Sequence, residues 1–126
     1  MELRGVVKSG VGEGSFFMGL EPYASVMEVS LGFRPYRGTL NIAADREEAE
    51  SFIKSLKEII IPGFKVGTKT FGAVHCYPCT LKNTKVAIIV PQFTRYDLST
   101  VEIIAKEHLR TALSLKDGDE ITLTEG

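Results

Sequence analysis

Leu3 to Lys8 alternates loosely between apolar and polar positions and runs into Ser9-Gly10, which predicts a first strand entering a loop. From Pro22 the spacing changes to that of a helix. Tyr23, Met27 and Leu31 fall near one face, Pro22 suits the first turn, and Gly32 ends the segment. After the turn-like Pro35-Tyr36-Arg37, Gly38-Thr39-Leu40-Asn41 leads into Ile42 and Ala43; if extended, Thr39 and Asn41 share one face and Leu40 and Ile42 the other. Asp45 is a suitable N-cap, with Glu47 and Glu48 in the first turn, for a helix to about Glu58 whose apolar stripe is Ala49, Phe52, Ile53 and Leu56. Ile59 to Ile61 predicts a brief strand, Pro62-Gly63 a turn, and the stretch around Gly67 irregular chain. Phe71 to Leu81 and Val86 to Val90 read as a hairpin joined through Lys82-Asn83-Thr84-Lys85, with Ala87 to Val90 apolar on both faces as in a central strand. Beyond Pro91, Ser99 or Thr100 followed by Glu102 predicts a capped helix from Val101 to about Leu113. It would bury Val101, Ile104, Ala105, Leu109 and Ala112 and carry Glu102, Lys106 and Arg110 on another face. Asp117-Gly118 marks a turn before a last strand, Asp119 to Leu123.

Composition adds limits. At 126 residues the chain fits one domain, residues 1–126, that buries roughly two thirds of its unfolded surface. With 44% apolar and 25% charged residues and a net charge of -1, it lacks the basic excess of a dedicated nucleic-acid binder, so any basic site is local. Met1-Glu2-Leu3-Arg4-Gly5 has no apolar core behind a charged start and no apolar run is long enough to span a bilayer, so a cytoplasmic protein without a membrane partner is expected. Cys76 and Cys79, three apart beside His75, invite a zinc or redox reading, but a zinc site needs four ligands and the strand-like alternation of Val74 and Tyr77 favours two ordinary strand cysteines.

Three segments carry candidate chemistry. Thr39 and Asn41 would place two neutral oxygens side by side, a half-site for a hard cation such as Mg²⁺ or merely the polar face of an edge strand. In Gly10-Val11-Gly12-Glu13-Gly14-Ser15 the alternate glycines let successive N–H groups face an anion, or else form a hairpin turn; neither the P-loop nor the dinucleotide fingerprint is complete. The third is Gln92 to Thr100 with the following Glu102, Lys106 and Arg110, which also fit a solvated ladder of charges.

Taken in order, Gly10-x-Gly12-Glu13-Gly14-x-Phe16, Pro35 with Gly38-Thr39-Leu40-Asn41, Thr94-x-Tyr96 with Val101-Glu102-Ile103-Ile104-Ala105, and Leu109-Arg110 resemble the archaeal CTP-dependent riboflavin kinases over nearly the whole chain. The resemblance implies a mainly β fold with a few helices, a small six-stranded cradle-loop β-barrel. It implies transfer of the γ-phosphoryl group of CTP to the ribityl 5′-hydroxyl of riboflavin, giving FMN and CDP with Mg²⁺ as cofactor. Residue by residue, Gly10, Val11, Gly12, Glu13, Gly14 and Ser15 match the nucleotide-binding loop, Thr39 and Asn41 the magnesium ligands, and Thr94 and Glu102 the flavin site. Glu107, His108, Leu109 and Arg110 match a second nucleotide-binding segment. Arg37 stands within a turn that reads Pro-Gly in simpler form. Glu102 is the candidate for orienting the ribityl hydroxyls and accepting the attacking proton, in a monomer that binds no nucleic acid. Two other readings compete: a non-catalytic flavin or nucleotide-binding regulatory barrel, and a nucleic-acid-binding barrel in which Phe16, Phe33 and Phe93 stack bases.

Overall fold

Where one face of a strand meets solvent the alternation survives in the sequence; where both faces are covered it disappears, and both kinds of strand build this molecule. The structure is a computed structural model that describes residues 1–10, 19–92 and 97–125. In chain order it forms β1 (Glu2–Lys8), α1 (Glu21–Leu31), β2 (Leu40–Ala43), α2 (Arg46–Lys54), β3 (Ile59–Ile61), β4 (Phe64–Val66), β5 (Lys69–Phe71), β6 (Val74–Leu81), β7 (Thr84–Pro91), β8 (Thr100–Ala105), α3 (Leu109–Ala112) and β9 (Glu120–Thr124).

Six strands pair antiparallel in the order β6-β7-β8-β2-β1-β9, and β9 returns to β6 through Thr80 opposite Thr124 and Leu81 opposite Leu123. The sheet therefore closes into a six-stranded barrel, as the resemblance implied. β3 adds to the outside of β6, and β4 with β5 makes a separate hairpin around Gly67, where the sequence suggested only irregular chain. The barrel interior is filled by alternate residues of its strands, among them Leu3, Val7, Leu40, Ile42, Leu81, Val86, Ile88, Val101, Ile103 and Leu123. α2 begins just beyond β2 and adds Ala49, Phe52 and Ile53 to that cluster at one end of the barrel. Asp45 caps it by accepting the Glu48 N–H at 2.9 Å, worth about 1 kcal/mol. The helix stops at Lys54 rather than near Glu58, because Ser55 turns back to Phe52 through both its N–H and its hydroxyl.

A second core covers the outer face of β6, β7 and β8. Tyr23, Met27 and Leu31 of α1 pack there with Ile61, Val74, Cys76, Ala87, Ile89 and Ile104, and Gly32 ends the helix at φ +82°, a left-handed turn that glycine adopts freely. Cys76 belongs to this outer core and Cys79 to the barrel interior, so the two thiols point to opposite faces of one strand. Burial pushes both up to about 12, and among the described residues no group of three His, Cys, Asp or Glu side chains is placed to hold a metal. They are packing residues.

Other expectations change as well. The 101–113 helix is β8 followed by a single turn of helix, α3. Val101, Ile103 and Ala105 face the interior and Ile104 the outer core, so burial on both sides hid the period of two. The cap-like Ser99 instead serves an Asx turn, its N–H donating to Asp97 Oδ1 at 2.8 Å. The hairpin turn is tighter than expected: Lys82 and Asn83 at φ +47° and +63° form it, and Thr84 and Lys85 join β7. Phe71 belongs to β5, and β6 starts at Val74. Finally, β2 lies between β1 and β8 and is no edge strand.

Candidate active site

In β2 the barrel takes Leu40 and Ile42 inward, which obliges Asn41 to point outward. In β8 the same rule turns Glu102 outward, between Val101 and Ile103. The register sets these two directly opposite each other, within one outer-face row that runs Cys76, Ile89, Glu102, Asn41, Lys8 across β6, β7, β8, β2 and β1. The row is apolar where α1 covers it and turns polar where that cover ends. Among the described residues, Asn41 at 7% exposure and Glu102 at 1% are the buried polar side chains. Burying such groups is costly unless they are hydrogen-bonded or paired, and opposite positions on paired strands put them in side-chain contact range.

Around Asn41 the packing is tight. Its Nδ2 donates to Thr39 Oγ1 at 3.3 Å, so amide and hydroxyl are neighbours, while its Oδ1 is buried with no partner among the described residues. Gly10 lies against the amide: a Cβ there would stand 2.1 Å from Nδ2 and 2.4 Å from Cγ. Only a glycine lets the main chain approach this closely. Gly10→Ala is expected to cost about 1–3 kcal/mol through overpacking and to push Asn41 out of place; a urea midpoint equal to the parent's would contradict that packing.

Lys8, the last residue of the row, donates from Nζ to Thr100 Oγ1 at 2.6 Å. Next to Thr39 opens a cavity of about 240 Å³ at the end of the barrel away from α2. Leu40, Ile103, Ala105 and Leu109 form its apolar floor, and Tyr36 to Thr39 face Glu107, His108 and Arg110 across it. The Pro35 turn is fixed by the Tyr36 N–H, which donates to Ala105 O at 2.7 Å, and by the Tyr36 ring, stacked on His108 at 4.9 Å between centroids. Arg37 lays its guanidinium on the main chain of Gly19, where a Cβ would come within 2.5 Å of Nε. Arg110 donates from Nη2 to Lys8 O (3.2 Å) and to Asp117 Oδ1 (2.6 Å), and Asp117 Oδ2 accepts from Ser9 Oγ at 2.8 Å. These bonds hold the Asp117 carboxyl below the usual range, Arg110 contributing most.

Of the residues singled out from sequence, the structure brings together Gly10, Thr39, Asn41 and Glu102 on one outer face, with Glu107, His108, Leu109 and Arg110 around the adjoining cavity. Val11, Gly12, Glu13, Gly14, Ser15 and Thr94 lie outside the described residues. The Glu102-Lys106-Arg110 helix face does not exist: Glu102 is buried in a strand, Lys106 is exposed in a bend, and Arg110 sits in α3. Phe33, 8% exposed in the outer core, is in no position to stack a base; Phe16 and Phe93 are outside the described residues. Lys8, Ser9, Tyr36 and Asp117 were missed. Their only sequence signal is adjacency to the glycine-rich stretch, the Thr39 segment and the final turn, and which of them meet is decided by strand register.

The chain is similar to known proteins over nearly its full length. The family model for a CTP-dependent riboflavin kinase domain, described as domain of unknown function DUF120, matches residues 7–124. A riboflavin kinase of Pyrobaculum islandicum is 42% identical over 125 residues, covering 98% of this chain and 59% of that protein. One from Methanospirillum hungatei is 40% identical over 123 residues (96% and 56%), and one from Methanocella arvoryzae 42% over 123 residues (97% and 56%). The chain thus spans well under two thirds of the length of these relatives.

Proposed function

The chain belongs to the CTP-dependent riboflavin kinase family, and from that we propose that residues 1–126 act as one riboflavin kinase domain, transferring the γ-phosphoryl group of CTP to the ribityl 5′-hydroxyl of riboflavin to give FMN and CDP. The observation that carries the reading is the buried Asn41 and Glu102 pair, set opposite each other on the outer face, with Thr39 bonded to Asn41 and lining the adjoining cavity. A barrel built for stability alone would fill those positions with apolar side chains like the neighbouring Ile89 and Ile104.

The reaction implies a divalent cation. The residues fit Mg²⁺: the Asn41 amide, whose oxygen is buried without a partner among the described residues, and the Thr39 hydroxyl bonded to its nitrogen are the sparse neutral oxygens that this ion accepts when phosphates and water supply the rest, and the Gly10 main chain presses against that amide. Thr39 and Asn41 would hold it, and when bound it offsets negative charge on the phosphates. The chain's own groups do the remainder. Main-chain N–H groups of Gly10 to Ser15 hold the phosphates, and Arg110 adds positive charge from the cavity wall. The nucleotide lies along Glu107 to Arg110, and Thr94 and Glu102 hold the flavin. Glu102 orients the ribityl hydroxyl and takes its proton as the new P–O bond forms and CDP departs with the electron pair of the old one. Phosphoryl transfer asks mostly for positioning and charge neutralisation, so no nucleophilic side chain is needed.

No helix among the described residues is long and apolar enough to cross a membrane. From the family we take CTP and riboflavin as the partners and the cytoplasm as the working compartment. Incubation with riboflavin, CTP and Mg²⁺ is expected to yield FMN and CDP in equal amounts. Binding of flavin and nucleotide without either product would instead identify a regulatory binding domain.

A further inference from the structure

We propose that Asp117 is a positioning residue that ties the two nucleotide-binding walls together: its carboxylate bridges Ser9, at the entrance to the glycine-rich loop, and Arg110, at the end of the second nucleotide segment. The inference rests on the kinase reading above and adds to it a residue outside every segment that reading uses.

The two oxygens of the carboxylate are divided between the walls, Oδ1 taking Arg110 Nη2 at 2.6 Å and Oδ2 taking Ser9 Oγ at 2.8 Å. Arg110 closes the loop by donating to Lys8 O, the residue before Ser9. Both of its bonds leave through Nη2, so among the described residues Nε and Nη1 are uncommitted while the side chain lines the cavity. The main chain keeps this strut stiff. Leu115 N–H donates to Arg110 O at 2.8 Å, Gly118 N–H to Val7 O at 2.8 Å, and Val7 N–H to Asp119 O at 2.8 Å, which docks the turn carrying Asp117 against the end of β1. Gly118 makes the turn at φ +93°. A carboxylate beside a site for a polyanion is otherwise unfavourable, and its pairing with Arg110 offsets that repulsion while aiming the guanidinium.

The Asp117 and Arg110 side chains are 55% and 33% exposed, so their pairing contributes little to global stability and its effect belongs in ligand binding. Asp117→Ala is expected to raise the KM for CTP and the Kd for CDP about fivefold, with the KM for riboflavin and the thermal midpoint unchanged. Asp117→Asn, whose one oxygen still accepts from Arg110 while its NH2 can only donate to the Ser9 hydroxyl, and which lacks the charge, should fall between. In an Arg110→Ala background the same Asp117→Ala change should have less than about twofold further effect, because its partner is gone. Additive losses in that double variant, or a lowered thermal midpoint with unaltered CDP binding, would overturn the positioning role. CDP titration by calorimetry separates the two levels: a parent protein that binds no CDP overturns the kinase reading and this one with it, whereas a parent and an Asp117→Ala variant that bind CDP equally overturn this inference alone.

Discussion

Replacing both Thr39 and Asn41 by alanine is expected to reduce FMN formation by about 10³-fold while leaving the protein folded; one preorganised charge-stabilising contact is commonly worth about 10²–10³ in turnover. The separation of the two effects follows from the packing. Leu40 and Ile42, which anchor β2 in the barrel, are untouched, and the pairing of β2 with β1 and β8 is made by main chain. The truncation removes a buried amide whose oxygen has no described partner, and losing an unsatisfied acceptor costs stability little or can raise it. A thermal midpoint within a few degrees of the parent's, beside a collapse in turnover, is therefore the signature of a site rather than of a strand. Asn41→Asp refines the test. It supplies a stronger oxygen for a cation but sets a second carboxylate opposite Glu102, so its folding should improve when Mg²⁺ is added and suffer when the metal is chelated. Full activity in the double alanine variant would remove the pair from the reaction and leave the outer-face row without a function.

How much of this was legible beforehand depended on how each element is buried. β1, α1, α2 and the last strand could be read because solvent on one side leaves polar residues at regular intervals, and because Asp45 and Gly32 punctuate the helices with capping chemistry; β3 could be read as a short apolar run stopped by Pro62-Gly63. β8 could not, because barrel interior and α1 cover its two faces and Val101-Glu102-Ile103-Ile104-Ala105 then carries no period at all. A helical reading of that strand puts Glu102 on a charged face with Lys106, whereas its neighbour across the sheet is Asn41, a residue far away in sequence. Thr39 and Asn41 were found by the local rule that alternate strand residues share a face. Their meeting with Glu102, and that of Ser9 with Asp117, is a matter of register and closure, which no short-range pattern encodes. The zinc or redox reading of Cys76 and Cys79 fails for a related reason: in a strand a spacing of three puts side chains on opposite faces.

Glu102→Gln carries the second large effect. The substitution preserves volume in a site that is 1% exposed, keeps a carbonyl oxygen to accept from a hydroxyl, and removes the ability to take a proton. If Glu102 both orients the ribityl chain and accepts the attacking proton, turnover should fall by about 10²-fold or more, the range for a general base, while the KM for riboflavin stays within a few-fold. Were Glu102 an orienting group alone, the amide would serve nearly as well and turnover would hold. Glu102→Ala tests the other half: it removes orientation along with the base and leaves a void next to Ile89 and Ile104, so both kinetic constants and the denaturation midpoint should suffer. The contrast between the two variants matters more than either alone, because a lesion confined to packing would spare the isosteric amide and a lesion confined to proton transfer would not. Loss of turnover in Glu102→Gln with flavin affinity intact is thus the result that assigns the proton to this carboxylate, and unchanged turnover removes it from that role.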